Sequence, residues 1–425
     1  MSQLIALPTQ NTTLPQHLQP PFPTVYTLEI TQRCHHNCLG CGNVFQHTGQ
    51  EMSVKEWQII LEKLKPQVQA LRVTGGEPTL HKQFDKIIYL IDSLGIPFVL
   101  FTNGNWTNPA KVIQVLKTCA NLQGLLISLH GADTQNYTKF VQKDAFASVV
   151  KNIQLATQAG LRVATNTLLL TSTYKHIESI VKLAISLGVS TVSFGRYYGA
   201  DLPELSLSNE QLRQSLIQIA ALREKDPRIT VSNCIPVCFM PESNFGGRGC
   251  TSGFTHCTIG PFGAVRPCTH SHLELGSIQD EDIEVLWQGQ QLEQWRKLVP
   301  APCLSCAVLS QCRGGCRATA QELQLAADPL IKVPLLETVY EPTIKLNGEE
   351  HPLLNCQLKK TQFGFTLTGA GQYVTLSLLA GPMLEALNGQ QSIAELQDEY
   401  GEGCLQLIGS LFHKRLLTMI ELADG

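Results

Sequence analysis

The sequence predicts an α/β protein in which short strands alternate with helices over residues 25–225. Short runs of apolar and β-branched residues recur there, and amphipathic helical patterns separate them. Ser53 and Glu56 form a capping box that opens one such helix. Strand–helix units joined by right-handed crossovers build a parallel sheet or barrel. The chain of 425 residues, 43% hydrophobic, is long enough for a large core and for two or three domains.

Six runs of this region are strand candidates. We predict strands at Val25–Ile30, Ala70–Val73, Phe98–Thr102, Leu125–Ser128, Val163–Thr167 and Thr191–Phe194. One intervening helix is indicated by an apolar stripe that ends at Gly188 and consists of Ile177, Ile180, Val181, Ala184 and Leu187. Six strand–helix units therefore precede a region rich in cysteine.

The C-terminal region predicts a small α+β domain. Phe363, Phe365 and Leu367 alternate as in a strand, and a second strand is expected at residues 373–376. Helices are predicted at Leu379–Leu387, Ser392–Tyr400 and Cys404–Arg415. Short strands before three helices are typical of a winged-helix-like domain. We expect a flexible lead-in at residues 1–22, the first domain at 23–230, the cysteine-rich domain at 231–326 and the last at 327–425.

Composition limits the classes of partner. The formal net charge of −3 gives no electrostatic case for nucleic acid. The sequence contains no run of 18 apolar residues and therefore predicts no membrane span. The N-terminus lacks the pattern of a secretory signal. We therefore expect a cytoplasmic protein, in which fifteen cysteines favour metal or redox use over disulfides.

Three cysteines follow the first predicted strand. Cys34, Cys38 and Cys41 have the spacing C-x3-C-x2-C. Three thiolates on one loop can hold three irons of a [4Fe–4S] cluster and leave the fourth iron open for a substrate or cofactor. Zinc is the alternative, but a structural zinc site usually closes with a fourth ligand. His35 and His36 lie between the cysteines and are poorly placed for that role.

This motif resembles the signature of the radical S-adenosylmethionine (SAM) superfamily. The run Val73–Pro78 contains Gly75, Gly76 and Glu77, which match the family's second element. The resemblance implies a partial (β/α)6 barrel in which this run contacts the SAM amino group, because glycines permit close approach and oxygens accept from an ammonium. Gly40 departs from the family, which usually has an aromatic residue before the third cysteine.

Polar residues stand where the predicted strands end. Active residues of a parallel barrel gather at these carboxyl ends, although each residue could also be an ordinary turn or helix cap. The set consists of Asn103, Ser128, His130, Asn166 and Arg196. By resemblance, Ser128 and Asn166 would contact the ribose or carboxylate of SAM. Arg196 would bind the carboxylate, since its planar guanidinium suits bidentate pairing.

A second group of cysteines resembles the SPASM domain, which carries auxiliary iron–sulfur clusters. The resemblance implies two auxiliary [4Fe–4S] clusters, with zinc as the alternative. The first would use Cys250, Cys257, Cys268 and Cys316, and the second Cys303, Cys306, Cys312 and, as a candidate fourth ligand, Cys356. Cys257 and Cys356 could equally be core residues. Cys234 and Cys238 could each be a hydrogen-atom donor, a substitute ligand or core.

The resemblance implies an enzyme that reductively cleaves SAM to a 5′-deoxyadenosyl radical and abstracts a hydrogen from a ribosomally made precursor peptide. Flavodoxin or ferredoxin would supply the electron, and a cross-link, backbone excision or epimerisation would follow. The C-terminal region resembles domains that capture a leader peptide at a sheet edge. A DNA-binding role is disfavoured because Lys414 and Arg415 are isolated. A small-molecule or folded-protein substrate and a non-catalytic metal-binding protein are the alternatives.

Overall fold

The computed structural model describes residues 2–6, 22–43, 45, 47–198, 202–232, 235–241, 249–306, 309–331, 343–361, 364–369 and 372–420. The first strand, β1 (Ser2–Ala6), pairs antiparallel with β12 (Thr343–Asn347) of the C-terminal region. These first residues are therefore part of a sheet, which corrects the expectation of a flexible lead-in for this segment. No described helix is long and apolar enough to cross a membrane.

Six parallel strands form the centre of the main sheet. They pair in the order of the sequence, each with the next. They are β2 (Val25–Glu29), β3 (Ala70–Thr74), β4 (Phe98–Thr102), β5 (Leu122–Ser128), β6 (Val163–Leu169) and β7 (Thr191–Arg196). The predicted α/β architecture is confirmed, with shifts only at the strand ends.

Helices connect these strands and bury their apolar faces against the sheet. They are α1 (Val54–Leu64), α2 (Phe84–Ser93), α3 (Pro109–Lys117), α4 (Thr134–Val141), α5 (Phe146–Gln158), α6 (Ile177–Ser186) and α7 (Asn209–Lys225). The capping box opens α1 as predicted, since Ser53 and Glu56 satisfy each other's backbone N–H groups. Trp57 and Leu61 of that helix are fully buried, and burial of each such side chain contributes about 1.5–3 kcal/mol.

The cysteine-rich region extends the same sheet at the β2 edge. There β9 (His256–Ile259) pairs parallel with β2, and β10 (Ala264–Arg266) and β11 (Gly276–Ser277) continue antiparallel. At the other edge β8 (Ile229–Val231) pairs parallel with β7. Four short helices complete the region: α8 (Ile283–Gln288), α9 (Gln290–Lys297), α10 (Leu309–Cys312) and α11 (Arg317–Glu322). The predicted first domain and the predicted cysteine-rich domain therefore share one ten-stranded sheet.

The C-terminal region has a core of its own. Its elements are β13 (His351–Leu354), β14 (Gln357–Thr361), β15 (Gly364–Gly369), β16 (Gln372–Ser377), α12 (Gly381–Ala386), α13 (Ile393–Tyr400), α14 (Glu402–His413) and β17 (Leu417–Ile420). Strands thus precede three helices, as the sequence pattern indicates, while the winged-helix assignment stays a prediction. A cavity of about 870 Å³ lies between this region and the amino ends of barrel strands, with Val25 and Phe98 in its wall. The C-terminal region therefore packs at the end of the barrel opposite the strand carboxyl ends.

Candidate functional site

The first cysteine loop lies at the carboxyl end of β2 and is held against α4. Asn37 N donates to Val141 O at 3.3 Å, and Leu39 N donates to Phe140 O at 3.0 Å. Cys34 and Cys41 are exposed, whereas Cys38 is half-buried. Burial raises the pKa of Cys38 to about 12, and the nearby thiols of Cys41 and Cys34 add to the rise. The loop therefore brings the three predicted thiols together.

Donors surround the sulfur of Cys34. His36 N donates to Cys34 Sγ at 3.4 Å, and Asn103 Nδ2 donates to the same sulfur at 3.7 Å. Hydrogen bonds to a thiolate favour its charged form, which is the form that binds iron. The structure therefore places the strand-end residue Asn103 beside the cysteine loop.

Gly75 and Gly76 are required by the cysteine loop itself. Gly76 N donates to Thr31 O at 2.8 Å, which joins the turn after β3 to the start of the loop. A Cβ atom on Gly76 would lie 2.6 Å from Gln32 O, and Gly75 has a φ of +148°. Only glycine allows this approach of two backbones without strain. The two glycines thus position the loop whether or not they also contact a ligand.

The Glu77 carboxylate is fully buried and already bonded. It accepts from Thr102 Oγ1 at 2.9 Å, from Asn103 N at 2.7 Å and from Thr79 Oγ1 at 2.6 Å. Burial raises the pKa of Glu77, and these hydrogen bonds oppose the rise. The carboxylate therefore fixes the turn after β4 to the turn after β3. The expectation that it meets a SAM ammonium stays a prediction.

Ser128 and Asn166 are neighbours across two strands. They are paired in register at the end of β5 and within β6. Neither side chain has a hydrogen-bond partner among the residues that the structure describes, and both are partly exposed. His130 is different, because it is buried and its Nδ1 accepts from Leu168 N at 3.2 Å. Ser128 and Asn166 are therefore the two strand-end residues available to a polar ligand.

Arg196 is occupied by a protein carboxylate. Its Nη1 donates to both oxygens of Asp328 at 2.9 Å, and the two side chains are 4% and 0% exposed. Asp328 also accepts from Cys316 N at 2.7 Å. The expected contact of Arg196 with the SAM carboxylate is therefore not supported. The guanidinium instead joins β7 to Asp328, whose carboxylate holds the backbone of Cys316 in the cysteine-rich region.

Tyr197 occupies the space beside Gly40. A Cβ atom on Gly40 would lie 2.6 Å from Tyr197 Cε2, well inside van der Waals contact. An aromatic residue at position 40 would collide with this ring. The chain therefore supplies an aromatic ring next to Cys41 from the segment after β7, which the spacing of the motif could not reveal.

Three cysteines of the second group line one cavity inside the barrel. Cys250, Cys268 and Cys316 share a cavity of about 220 Å³ with the stacked rings of Tyr198 and His270. Burial raises the pKa of Cys268 to about 12, and Cys250 and Cys316 contribute to the rise. These three thiols are therefore close neighbours, as the SPASM resemblance implies.

Cys257 lies apart from that set. His256 points into the barrel, where it contacts Thr27 Oγ1 at 2.8 Å. Successive side chains of a strand face opposite ways, so Cys257 points outward with Tyr26, its partner in register. Burial alone raises the pKa of Cys257. The structure therefore corrects the assignment of Cys257 as a ligand and places it in the core.

Cys303, Cys306 and Cys312 form the other set, and Cys356 is not part of it. Cys356 lines the cavity at the amino ends of the barrel strands and packs beside Gly369. Burial alone raises the pKa of Cys356, and no cysteine among the described residues contributes to the rise. The assignment of Cys356 as the fourth ligand is therefore corrected. Cys234 lies outside the described residues, and Cys238 lies beside Cys303 and Cys312 rather than in the first cysteine loop.

Two residues of this site, Asp328 and Tyr197, had no signal in the sequence. Each acts on a partner more than 100 positions away, and neither belongs to a spaced motif. Within the described part of the chain, no three His, Cys, Asp or Glu side chains could hold a single metal ion. The ligand sets described above concern the larger [4Fe–4S] cluster, whose thiolates bind different irons.

Comparison with known families agrees with the two cysteine groups. Residues 28–184 match the family model described as the radical SAM superfamily. Residues 250–313 match the SPASM model, described as an iron–sulfur cluster-binding domain. The second match favours iron–sulfur clusters over the zinc alternative.

Curated relatives and solved structures extend over most of the chain. An AdoMet-dependent heme synthase from Oleidesulfovibrio alaskensis is 25% identical over 337 residues, which are 71% of this chain and 85% of the relative. A PqqA peptide cyclase from Rhizobium meliloti is 25% identical over 362 residues, 79% and 93% of the two chains. The crystal structure of Streptococcus suis SuiB bound to its precursor peptide SuiA aligns with a TM-score of 0.63 at 18% identity, covering 73% and 76%. The last comparison shows a shared fold.

Proposed function

Residues 28–184 form a radical SAM domain and residues 250–313 a SPASM domain, and from this premise we propose that the chain takes a hydrogen atom from a precursor peptide. The observation that carries the proposal is the meeting of the first cysteine loop with the turn at Gly75–Glu77. Both lie at the carboxyl ends of parallel strands, where barrel enzymes place their reacting groups.

The thiols of this loop suit an iron–sulfur cluster. Cys34, Cys38 and Cys41 converge, and Cys34 Sγ already accepts two N–H donors. A cluster bound there would leave one iron without a protein ligand, open to the amino and carboxylate groups of SAM. With an electron from flavodoxin or ferredoxin, a cluster held by these thiols would supply the reductive cleavage of SAM to methionine and a 5′-deoxyadenosyl radical, and that radical would take a hydrogen atom from the peptide.

The chain's own residues would position SAM. Because the Glu77 carboxylate accepts several hydrogen bonds inside the protein, we assign the ammonium contact to the backbone oxygens of the Gly75–Gly76 turn. Gly75 O accepts from Asn43 Nδ2 and has a second lone pair for the ammonium. Ser128 and Asn166 would contact the ribose or carboxylate. Tyr197 would supply the aromatic contact to adenine that position 40 cannot make, since its ring lies next to Cys41.

The peptide substrate is proposed from the similarity to a PqqA peptide cyclase and from the C-terminal region. The three-stranded sheet of the C-terminal region, β14–β15–β16, has β14 at one edge, and Leu358 on that strand is 43% exposed. A leader peptide could pair with this edge as an added strand. Because this region lies at the opposite end of the barrel, the peptide must cross a strand length of about 20 Å, or at least about six extended residues, to reach the site.

The experiment uses the reconstituted enzyme, SAM, dithionite and synthetic candidate precursor peptides, chosen by a search of the gene's neighbourhood for short open reading frames. The proposal expects peptide-dependent 5′-deoxyadenosine and a mass change in the peptide. Leu358→Glu should weaken peptide binding, measured by fluorescence anisotropy, while Ile59→Glu, a matched exposed position on α1, should not. Equal binding by the two variants would contradict leader docking at β14. A small molecule that replaces the peptide in stimulating 5′-deoxyadenosine would favour the activity class of the heme synthase relative.

A further inference from the structure

The second auxiliary cluster lacks an assigned fourth ligand. Cys303 ends a short 3-10 turn and Cys312 ends α10. Burial raises the pKa of Cys303 to about 11, and the thiols of Cys312 and Cys306 add to the rise. Three thiols hold three irons, so a complete site needs one more donor. Cys356, the candidate that follows in the sequence, lies at the far end of the barrel.

Cys312 marks where the missing donor should lie. Burial raises the pKa of Cys312, and the backbone N–H groups of Val237, Gly315 and Gly314 near its sulfur oppose the rise; both glycines are in the left-handed conformation. Such a ring of N–H donors stabilises a thiolate or a cluster sulfide. The bond from Val237 also brings the segment around residue 237 to the cluster site.

Cys238 follows Val237 directly in a 3-10 turn at Val237–Phe239. The turn is anchored, because Phe239 is fully buried and its carbonyl accepts from Arg213 Nη1 at 3.1 Å. The Cys238 thiol is partly exposed and lies close enough to Cys303 and Cys312 for its charge to act on both. The Asp328 carboxylate also acts on Cys303, but it is already bound by Arg196 Nη1, Cys316 N and Leu330 N.

We propose that Cys238 supplies the fourth thiolate of the second auxiliary cluster, with Cys303, Cys306 and Cys312. The inference rests on the SPASM domain and not on the identity of the substrate. The fourth ligand then precedes the other three in the chain. A cluster held by four thiolates has no open iron, so its role is electron transfer rather than substrate binding. This assignment also removes Cys238 as a hydrogen-atom donor to the peptide.

The test removes the first cluster to isolate the auxiliary ones. In the parent variant, Cys34, Cys38 and Cys41 are replaced by alanine, and about 8 Fe per chain are expected. Adding Cys238→Ala should lower the iron content to about 4 per chain. If the second auxiliary cluster survives on three thiolates, its open iron should bind cyanide and change the EPR spectrum of the reduced protein. Adding Cys356→Ala should leave both iron and spectrum as in the parent.

A second variant controls for misfolding. Cys238→Ser keeps a donor oxygen of similar size, and circular dichroism should match that of the parent. We expect its second auxiliary cluster to show a shifted reduction potential and a changed EPR spectrum. Parent-like iron, potential and spectrum in Cys238→Ser, or cluster loss in Cys356→Ala alone, would overturn the proposal. Neither result would bear on the peptide reaction, which is measured separately.

Discussion

The ion pair between Arg196 and Asp328 gives the sharpest prediction on stability. The Asp328 carboxylate accepts from Arg196 Nη1 at 2.9 Å, from Cys316 N at 2.7 Å and from Leu330 N at 3.0 Å. In Asp328→Asn the shape is retained, but the amide NH₂ faces donors and the guanidinium loses its counter-charge. Removing one partner of a buried pair costs about 3–5 kcal/mol. We expect a loss of unfolding free energy of that size.

The measurement is anaerobic urea unfolding followed by tryptophan fluorescence, because Trp287 and Trp295 are buried in the same region. Iron content is read in parallel, since Asp328 holds the backbone of Cys316 and its loss should lower occupancy of the first auxiliary cluster. The control is Glu293→Gln, which breaks an exposed, solvent-screened pair with Lys297 and should leave the unfolding free energy almost unchanged. A loss below about 1 kcal/mol with full iron in Asp328→Asn would refute the reasoning.

Three further predictions concern the first site. Tyr197→Ala should weaken SAM binding by about 5- to 150-fold, which corresponds to about 1–3 kcal/mol of lost stacking. Adding Gly40→Phe to this variant should recover part of the affinity. An unchanged affinity for SAM in calorimetry would reject the role of Tyr197. Gly76→Ala should displace the cysteine loop and remove about 4 of 12 Fe per chain, as iron analysis would show, whereas full iron would contradict the packing argument. Burial lowers the pKa of His130 to about 4 from 6.5. Because the folded state disfavours the protonated imidazole, the unfolding free energy should fall by about 3 kcal/mol from this residue as the pH drops from 6.5 to 4. In urea titrations, His130→Gln should show a weaker pH dependence of the unfolding free energy. A pH dependence as steep as that of the wild-type protein would exclude His130 as the cause.

The sequence predicted the elements because local patterns determine them. The apolar run Phe98–Thr102 is β4 without change, and the helix expected over Ser392–Tyr400 is α13, which a capping box of Ser392 and Glu395 opens. The first cysteine loop and its glycine turn were found in the same way, since their spacing is local. The β9 strand was missed because only four residues, His256–Ile259, complete the sheet from a distant part of the chain.

Contacts between distant segments explain what the sequence could not give. Arg196 stands at a strand end and is suited to a carboxylate, but only the fold identifies that carboxylate as Asp328. Cys356 fits the order of the SPASM cysteines, yet β13 and β14 hold it at the wrong end of the barrel. Cys257 fits the spacing, but strand alternation turns it into the core.

The central claim is that the Cys34–Cys41 site generates a radical that takes hydrogen from a peptide. The most direct measurement is mass spectrometry of 5′-deoxyadenosine formed with a deuterated precursor peptide. We predict deuterium in the 5′-deoxyadenosine of the wild-type protein, and no 5′-deoxyadenosine from Cys38→Ala. Unlabelled 5′-deoxyadenosine with an unmodified peptide, or continued SAM cleavage by Cys38→Ala, would contradict the account.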